Sequence, residues 1–504
     1  DGGADIDLVD YSSSSTGINL TLLDSGATVN VSHNIGGVAS DSLTNIEGIK
    51  GSTTASNTLI GNNMNNTLIG GNQTDTIKGV SGNNSLSGGA GDDTIFAGTG
   101  SDIIDGGAGN DWLDYTDLAS TNVSVNLRNN TATYGSSTDS ITAIEHLKMG
   151  NGTNTVQGNS YSNSFIGGTG TDTLSYSEAA SGVTVNVTSA GAGTSSGDGA
   201  DVFTGFENYT LSGNADIINL DVVHNGSIIN GGIGIDTLNI NGNGTIASSD
   251  FNVSGFENLN LSNSADVVTF TDKSSFDTFK SKFSSAIDTK GGDDEFTFSS
   301  QVTQDLDFTK IANLEKLSFS ESDDTVTFGA DEFNAGIKTL DLGNGQNKAY
   351  LNADTTSSVQ VNGGSGNDEF VLDFTRIEQG DYKVDGGAGT DTITLSGYDN
   401  KDATNTNIFK EAFTNMEELN LAGTGTFNID AEVINSWRDS TNSIFKITNS
   451  SDNTLNISTN NENYKWKNSN DSTWQDSNMT NLGTGSYNIS IDGNATTTFT
   501  LEVV

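Results

Sequence analysis

The apolar residues of this chain fall on a nine-residue beat. Leu59, Leu68, Ile77, Leu86, Ile95, Ile104 and Leu113 occupy the eighth position of seven consecutive units that run from Ser52 to Asp114. The last three units read GGAGDDTIF, AGTGSDIID and GGAGNDWLD. Each apolar residue is the centre of a short strand that sends one side chain inward. The early glycines of each unit accept tight turns. One unit alone buries almost nothing, so the pattern predicts a stack of units, each completed by its neighbours.

Elsewhere the beat changes. Three related modules in residues 1–220 open on a tyrosine (Tyr11, Tyr115, Tyr176) and continue into alternating segments, INLTLL (18–23), VSVNL (123–127) and VTVNV (183–187). Such alternation predicts strands. Each module then reaches an apolar–Glu pair: Ile46-Glu47, Ile144-Glu145 and Phe206-Glu207. Three more in-phase units occupy 149–175, with Asn154, Asn163 and Asp172 at their sixth positions. Beyond about residue 206 the repeat lengthens to strand, short turn, Asp or Asn, strand. Asp216, Asp236, Asp266, Asp294, Asp324, Asn347, Asp368 and Asp391 mark it, which predicts one acid or amide per rung of a wider solenoid.

Phe276, Phe279, Phe283 and Ile287 fit one face of a helix over 272–287. Residues 407–416 and 430–440 predict shorter helices that cover the open face of the stack. Trp466, Trp474, Tyr464 and Tyr487 gather in the last stretch, where a terminal β-cap is expected. The organisation expected is therefore 1–220, 221–430 and 431–504.

Composition sharpens this reading. The 504 residues include 61 Gly, no Pro and no Cys, and the formal net charge is −45. Absence of proline suits long strand ladders, which need every N–H. Without cysteine there is no disulfide scaffold, so an extracellular fold needs another cross-link. The charge excludes nucleic acid as a partner and implies self-repulsion without a counter-ion. An acidic, Gly-, Asn- and Ser-rich chain with few aromatics borders on disorder, so order conditional on a cation is expected. No run approaches the length of a membrane-spanning helix. Asp1 lies inside a partial repeat, so a segment or processed product of something longer is expected.

The sixth position of the nonapeptide supplies the cation chemistry. Its Asp lies on the turn beside backbone carbonyls, and stacked turns make a column of hard oxygen donors that suits Ca2+. These residues closely resemble the RTX family, whose consensus is GGxGxDxUx. The resemblance implies an all-β, right-handed parallel β-roll or β-helix solenoid, with two nonapeptides per coil and calcium between turns on one side. A separation of 18 then places Asn57, Asp75, Asp93 and Asp111 on one side and Asn66, Asn84 and Asp102 on the other. Calcium is expected between Asp75 and Asp93 and between Asp93 and Asp111. The Asn-rich side is expected to be weaker or empty, with amide ladders in place of metal. The full set of expected ligands is Asp75, Asp92, Asp93, Asp102, Asp111, Asp172, Asp236, Asp294, Asp324, Asp368 and Asp391.

Catalytic constellations are hard to find. His33, His146 and His224 form no HExxH pair. GTSSG at 193–197 fits the nucleophile-elbow spacing, but in low-complexity sequence without a neighbouring His. Close Asp pairs such as Asp92/Asp93 and Asp293/Asp294 are assigned to calcium rather than to a glycosidase dyad. The repeated Glu (47, 145, 207, 257, 315, 417) is either solvated, a cap on a free backbone N–H, or an auxiliary ligand.

The resemblance implies a calcium-dependent extracellular structural protein of a Gram-negative surface, a self-assembling S-layer or filament protomer. It also implies type I secretion through a C-terminal signal. The alternatives are the repeat region of a large adhesin that binds surface polysaccharide, and the non-catalytic part of an RTX toxin or enzyme.

Overall fold

The structure, a computed structural model, describes residues 1–188, 191–223, 226–399, 401–403, 407–438, 444–448 and, after these, 453–458, 465–468, 475, 479, 482, 484–490 and 498–504. The chain divides into two compact units. The first holds 1–242 and 250–259, and the second 243–249 and 260–504.

The first unit is a coil with two parallel faces. On one face Thr58–Ile60, Thr76–Lys78, Thr94–Phe96 and Trp112–Asp114 pair in order. On the other, Thr67–Gly71, Ser85–Ala90 and Ile103–Ala108 do the same. Register follows the nonapeptide: Leu59 faces Ile77, Ile77 faces Ile95, and Ile95 faces Leu113. The seven eighth-position residues are at most 1% exposed. Two nonapeptides therefore make one coil, and the parallel all-β expectation holds.

Parallel pairing is not universal. Antiparallel hairpins interrupt the coil at Thr28–Ile35/Val38–Thr44, at Thr131–Tyr134/Ser137–Thr142 and at Thr184–Val187/Gly193–Ser196. The alternating segments VSVNL and VTVNV belong to these excursions. Each pairs antiparallel on one edge and parallel to the main stack on the other, as Ser124–Asn126 does with Thr131–Tyr134 and Thr155–Gln157.

In the second unit the rungs are longer. One face runs Gly244–Ala247, Asp266–Phe270, Glu295–Phe298, Lys316–Ser318, Thr339–Asp341, Val359–Asn362 and Tyr382–Asp385. The other includes Thr325–Phe328, Lys348–Leu351, Glu369–Asp373, Thr392–Ser396 and Glu418–Leu421. Near the C-terminus, Lys465–Asn468, Gly485–Ser490 and Thr498–Val503 pair antiparallel, with Trp466 and Tyr487 in ring contact at 6.1 Å. Tyr464 and Trp474 lie outside the described residues.

Helix α1 is shorter than its apolar spacing predicts. It spans Lys273–Ser281, and Phe283 and Ile287 lie in the strand Phe283–Asp288. All four apolar residues are buried all the same. Ile287 pairs in parallel register with Ile311, and that ladder overrides continuation of the helix. Phe276 and Phe279 pack edge-on against Phe270 and Phe296, which closes the core beneath α1. Two further helices have too few turns for periodicity to reveal: α2 (Ala330–Ala335) and α3 (Phe374–Gln379). Their caps carry them. Asp373 caps the start of α3, and Gly336 and Gly380 end α2 and α3 with left-handed backbone. Helices α4 (Asn407–Ala412) and α5 (Ala431–Trp437) fall within the two segments expected. Phe413, expected in the first of them, begins a strand instead.

Candidate metal centre

The turns between these strands carry side-chain ladders. Within a ladder, one carboxylate or amide oxygen of each later rung accepts the backbone N–H of the sixth position one coil earlier. Asn57 N–H donates to Asp75 Oδ1 at 2.5 Å, Asp75 N–H to Asp93 Oδ1 at 2.7 Å, and Asp93 N–H to Asp111 Oδ1 at 2.8 Å. The opposite side repeats this from Asn66 to Asn84 to Asp102, and Asp102 N–H donates to Asp139 Oδ1. In the second unit the series runs Asp324, Asn347, Asp368, Asp391 at 2.7–2.9 Å. The longer rungs thus keep one Asp or Asn each, on a common edge.

What differs along the ladders is the fate of the second side-chain atom. Asn satisfies it. Asn154 Nδ2 donates to the carbonyls of Gly150, Gly152 and Gly167 at 3.0–3.1 Å, two in its own turn and one in the next coil. Asp at the same position has an oxygen there instead, with nothing to donate. Oδ2 of Asp75, Asp93, Asp102, Asp111, Asp172, Asp236, Asp294 and Asp368 is buried and without a hydrogen-bond partner. Those side chains are at most 1% exposed. An unsatisfied buried carboxylate oxygen is costly. The group that relieves it must be a proton or a cation, and carbonyls around a carboxylate form the all-oxygen set that Ca2+ takes.

A third arrangement uses hydroxyls. Asp139 Oδ2 accepts from Tyr115 at 2.9 Å, and Asp201 Oδ2 from Tyr176 and Ser195 at 2.8 and 2.9 Å. Asp216 and Asp324 accept from Ser212 and Ser320, each four residues earlier. Where that position is glycine, as at Gly71, Gly89, Gly107, Gly232 and Gly364, the acid four residues on is left unsatisfied. Of the expected ligands, Asp324 therefore has a hydroxyl partner for the oxygen a cation would use. Asp92 lies elsewhere. It is exposed, and its Oδ1 accepts Asn110 N–H at 2.9 Å in an outer ladder of opposite direction. Asp391 sits in the inner ladder, with its N–H on Glu417.

Burial is the main cause of raised carboxyl pKa values, with neighbouring carboxylates adding to it. Asp93 and Asp368 are pushed up to about 7. Asp102, Asp111, Asp172 and Asp236 are pushed up to about 6. Asp75 and Asp294 are also raised by burial. Among the described residues no group of three or more acidic, histidine or cysteine side chains is placed to hold a metal alone. A site at these turns is completed by backbone carbonyls.

Residues 52–86, 78–113 and 150–178 match the RTX calcium-binding nonapeptide repeat (4 copies), over roughly a fifth of the chain. This chain carries RTX repeats. Comparison with curated proteins finds no match. RTX repeats are calcium-binding motifs typical of secreted proteins. Among the described residues no helix is long and apolar enough to cross a membrane.

At Gly88, the first glycine of its unit, the ladder leaves no room for a side chain, although the next unit carries Ala97 at the same position. A Cβ on Gly88 would collide with Asp93 Oδ2 and with the Gly106 carbonyl oxygen, both part of the candidate site. Gly88→Ala is expected to destabilise the calcium-loaded protein by about 2 kcal/mol or more and to weaken calcium binding, as read by calcium-dependent melting. An unchanged melt would mean that this turn opens freely.

The six repeated Glu residues all have the same role. Glu47, Glu145, Glu207, Glu257, Glu315 and Glu417 each accept, through Oε2, the backbone N–H of an Asp at 2.7–3.2 Å; for Glu47 this is Asp7, and for the other five it is the last Asp of a ladder. Each follows a buried apolar residue and, one further back, a residue with φ between 48° and 75°. The cap on a backbone N–H is thus the reading the structure supports.

Proposed function

We propose that this chain is a calcium-dependent extracellular structural protein of a Gram-negative cell surface, which assembles with copies of itself into a surface layer or filament. The observation that carries the reading is the set of buried, partnerless Asp oxygens on the ladders, with Asp75, Asp93 and Asp111 in one column. At neutral pH such columns hold together only with cations among them. Extracellular modules bind calcium at about 10⁻⁴–10⁻³ M, so the chain stays loose where calcium is scarce and folds on reaching the outside. A formal charge of −45 keeps copies apart until cations screen or bridge them.

Residues of catalytic type have structural employment. Ser195 of the GTSSG segment is buried and donates to Asp201. His33 packs on Tyr11 beside Asp41, and His146 Nδ1 accepts Ser164 N–H. His224 lies outside the described residues. These assignments support a scaffold rather than an enzyme.

Negative-stain microscopy tests the proposal. Purified protein is expected to form ordered sheets or fibres in millimolar calcium and to disperse in chelator. Protein that folds with calcium yet stays monomeric at high concentration would overturn assembly and favour an adhesin repeat region.

A further inference from the structure

The glutamates at the ladder ends carry more charge than a cap requires. A cap on a backbone N–H needs only a neutral acceptor, and within the ladders Asn fills that role. Asn84 Oδ1 accepts Asn66 N–H, and Asn347 Oδ1 accepts Asp324 N–H, both at 2.9 Å. At all five ladder ends the acceptor is instead a carboxylate, held against a second carboxylate.

We propose that the pairs Asp111/Glu145, Asp172/Glu207 and Asp236/Glu257 form divalent-cation sites of their own, additional to the Asp–Asp intervals inside the repeats. The proposal rests on the calcium reading above. In each pair the Asp is fully buried and its Oδ2 has no partner. The Glu carboxylate is locked beside it by accepting the Asp N–H at 2.9, 2.8 and 2.7 Å. The Asp carbonyl in turn accepts the N–H of the Glu and of the residue after it, so the two backbones clamp each other. A third oxygen joins them, the carbonyl of the left-handed residue two before the Glu. In the first pair this is Ala143, and a Cβ on Gly106 would collide with its oxygen and lie 2.8 Å from Asp111 Oδ2. Gly167 and Gly231 are enclosed in the same way, by the Gly205 and Gly255 carbonyls and the matching Asp Oδ2. Two carboxylates and a carbonyl are hard oxygen ligands, and two like charges held side by side are relieved by a cation between them or by a proton.

One copy of the arrangement supplies a built-in control. At Asp294/Glu315 the glycine is replaced by Thr289, whose hydroxyl donates to the Asn313 carbonyl at 2.6 Å. The third oxygen is already engaged there, so this end is assigned no cation.

The test counts bound calcium by equilibrium dialysis on the full chain and reads terbium(III) luminescence sensitised by tryptophan. Trp112 follows Asp111 and packs on His146, which follows Glu145, with ring centroids 4.9 Å apart. Gln keeps the acceptor for the Asp N–H and removes only the charge. Glu145→Gln is expected to bind one calcium fewer, and to lose the terbium emission that Trp112 sensitises at this site. Glu207→Gln and Glu257→Gln are each expected to lose one calcium, which keeps the count decisive if one variant folds poorly by circular dichroism. Glu315→Gln is expected to lose none. Wild-type counts in the first three variants, while Asp93→Asn binds less calcium, would overturn this inference alone. A wild-type chain that binds no calcium would overturn the calcium reading itself, and this inference with it.

Discussion

In excess chelator at neutral pH the chain is expected to lose most of its β-structure, and to recover it on acidification to about pH 4 with no metal added. The sign follows from the ladder acids. Asp93 and Asp368 titrate at about 7 in the fold, and Asp102, Asp111, Asp172 and Asp236 at about 6, against an ordinary 3.8. A carboxyl raised by folding stabilises the fold fully below its unfolded value, and that contribution is lost as pH rises through the folded value. The window is therefore about pH 4 to 7. With allowance for solvent screening, each ionised acid costs the metal-free fold on the order of 1–2 kcal/mol. Several such costs together rival the ~5–15 kcal/mol that stabilises a domain. Calcium reverses the dependence, because a cation occupies the place of the proton and favours the ionised form. Circular dichroism from pH 8 to 4, with chelator and with calcium, checks both limbs. Equal β-content across that range in chelator would mean that the buried oxygens have partners of another kind.

How far the sequence could be read depended on where the repeat was local. The nine-residue beat forced the core, because Leu59 to Leu113 recur without a gap and a one-residue slip would turn them all outward. The two acid columns followed from a separation of 18. The hairpins did not follow, because an alternating segment such as VSVNL has the same pattern in parallel and antiparallel pairing. The partners of Asp139 and Asp201 are tyrosines 24 and 25 residues earlier, a distance no local pattern marks. The serine rule was legible and missed. LSGNAD and FSESDD place Ser four before Asp where the RTX units place Gly, and that hydroxyl separates Asp216 and Asp324 from the acids left unsatisfied. The end of α1 at Ser281 was hidden because Phe283 and Ile287 satisfy helical spacing and the strand core alike.

Asp93→Asn is expected to turn a cation-dependent rung into one that stands alone. The Asn Oδ1 can keep the Asp75 N–H, as Asn84 keeps that of Asn66. Its Nδ2 would face the carbonyls of Gly89, Gly91 and Gly106, the positions equivalent to Gly150, Gly152 and Gly167 that Asn154 already binds. An ionisable buried oxygen without a partner is thereby exchanged for a donor with three. In chelator at about pH 5.5, where enough ladder acids are protonated for the metal-free fold to persist, the variant should melt about 3–6 °C higher, for ~1.5 kcal/mol gained in a unit of this size. In saturating calcium it should melt lower than wild type and bind less metal. Asp93→Ala separates this from a general loosening of the turn. It leaves the buried Asp75 N–H without an acceptor, at a cost of about 1–3 kcal/mol, and should melt lower in both conditions. Opposite shifts for Asn and Ala in chelator, measured by differential scanning calorimetry, are the signature of a carboxylate placed for a cation. Parallel losses would mean that Asp93 serves the fold through its hydrogen bond alone.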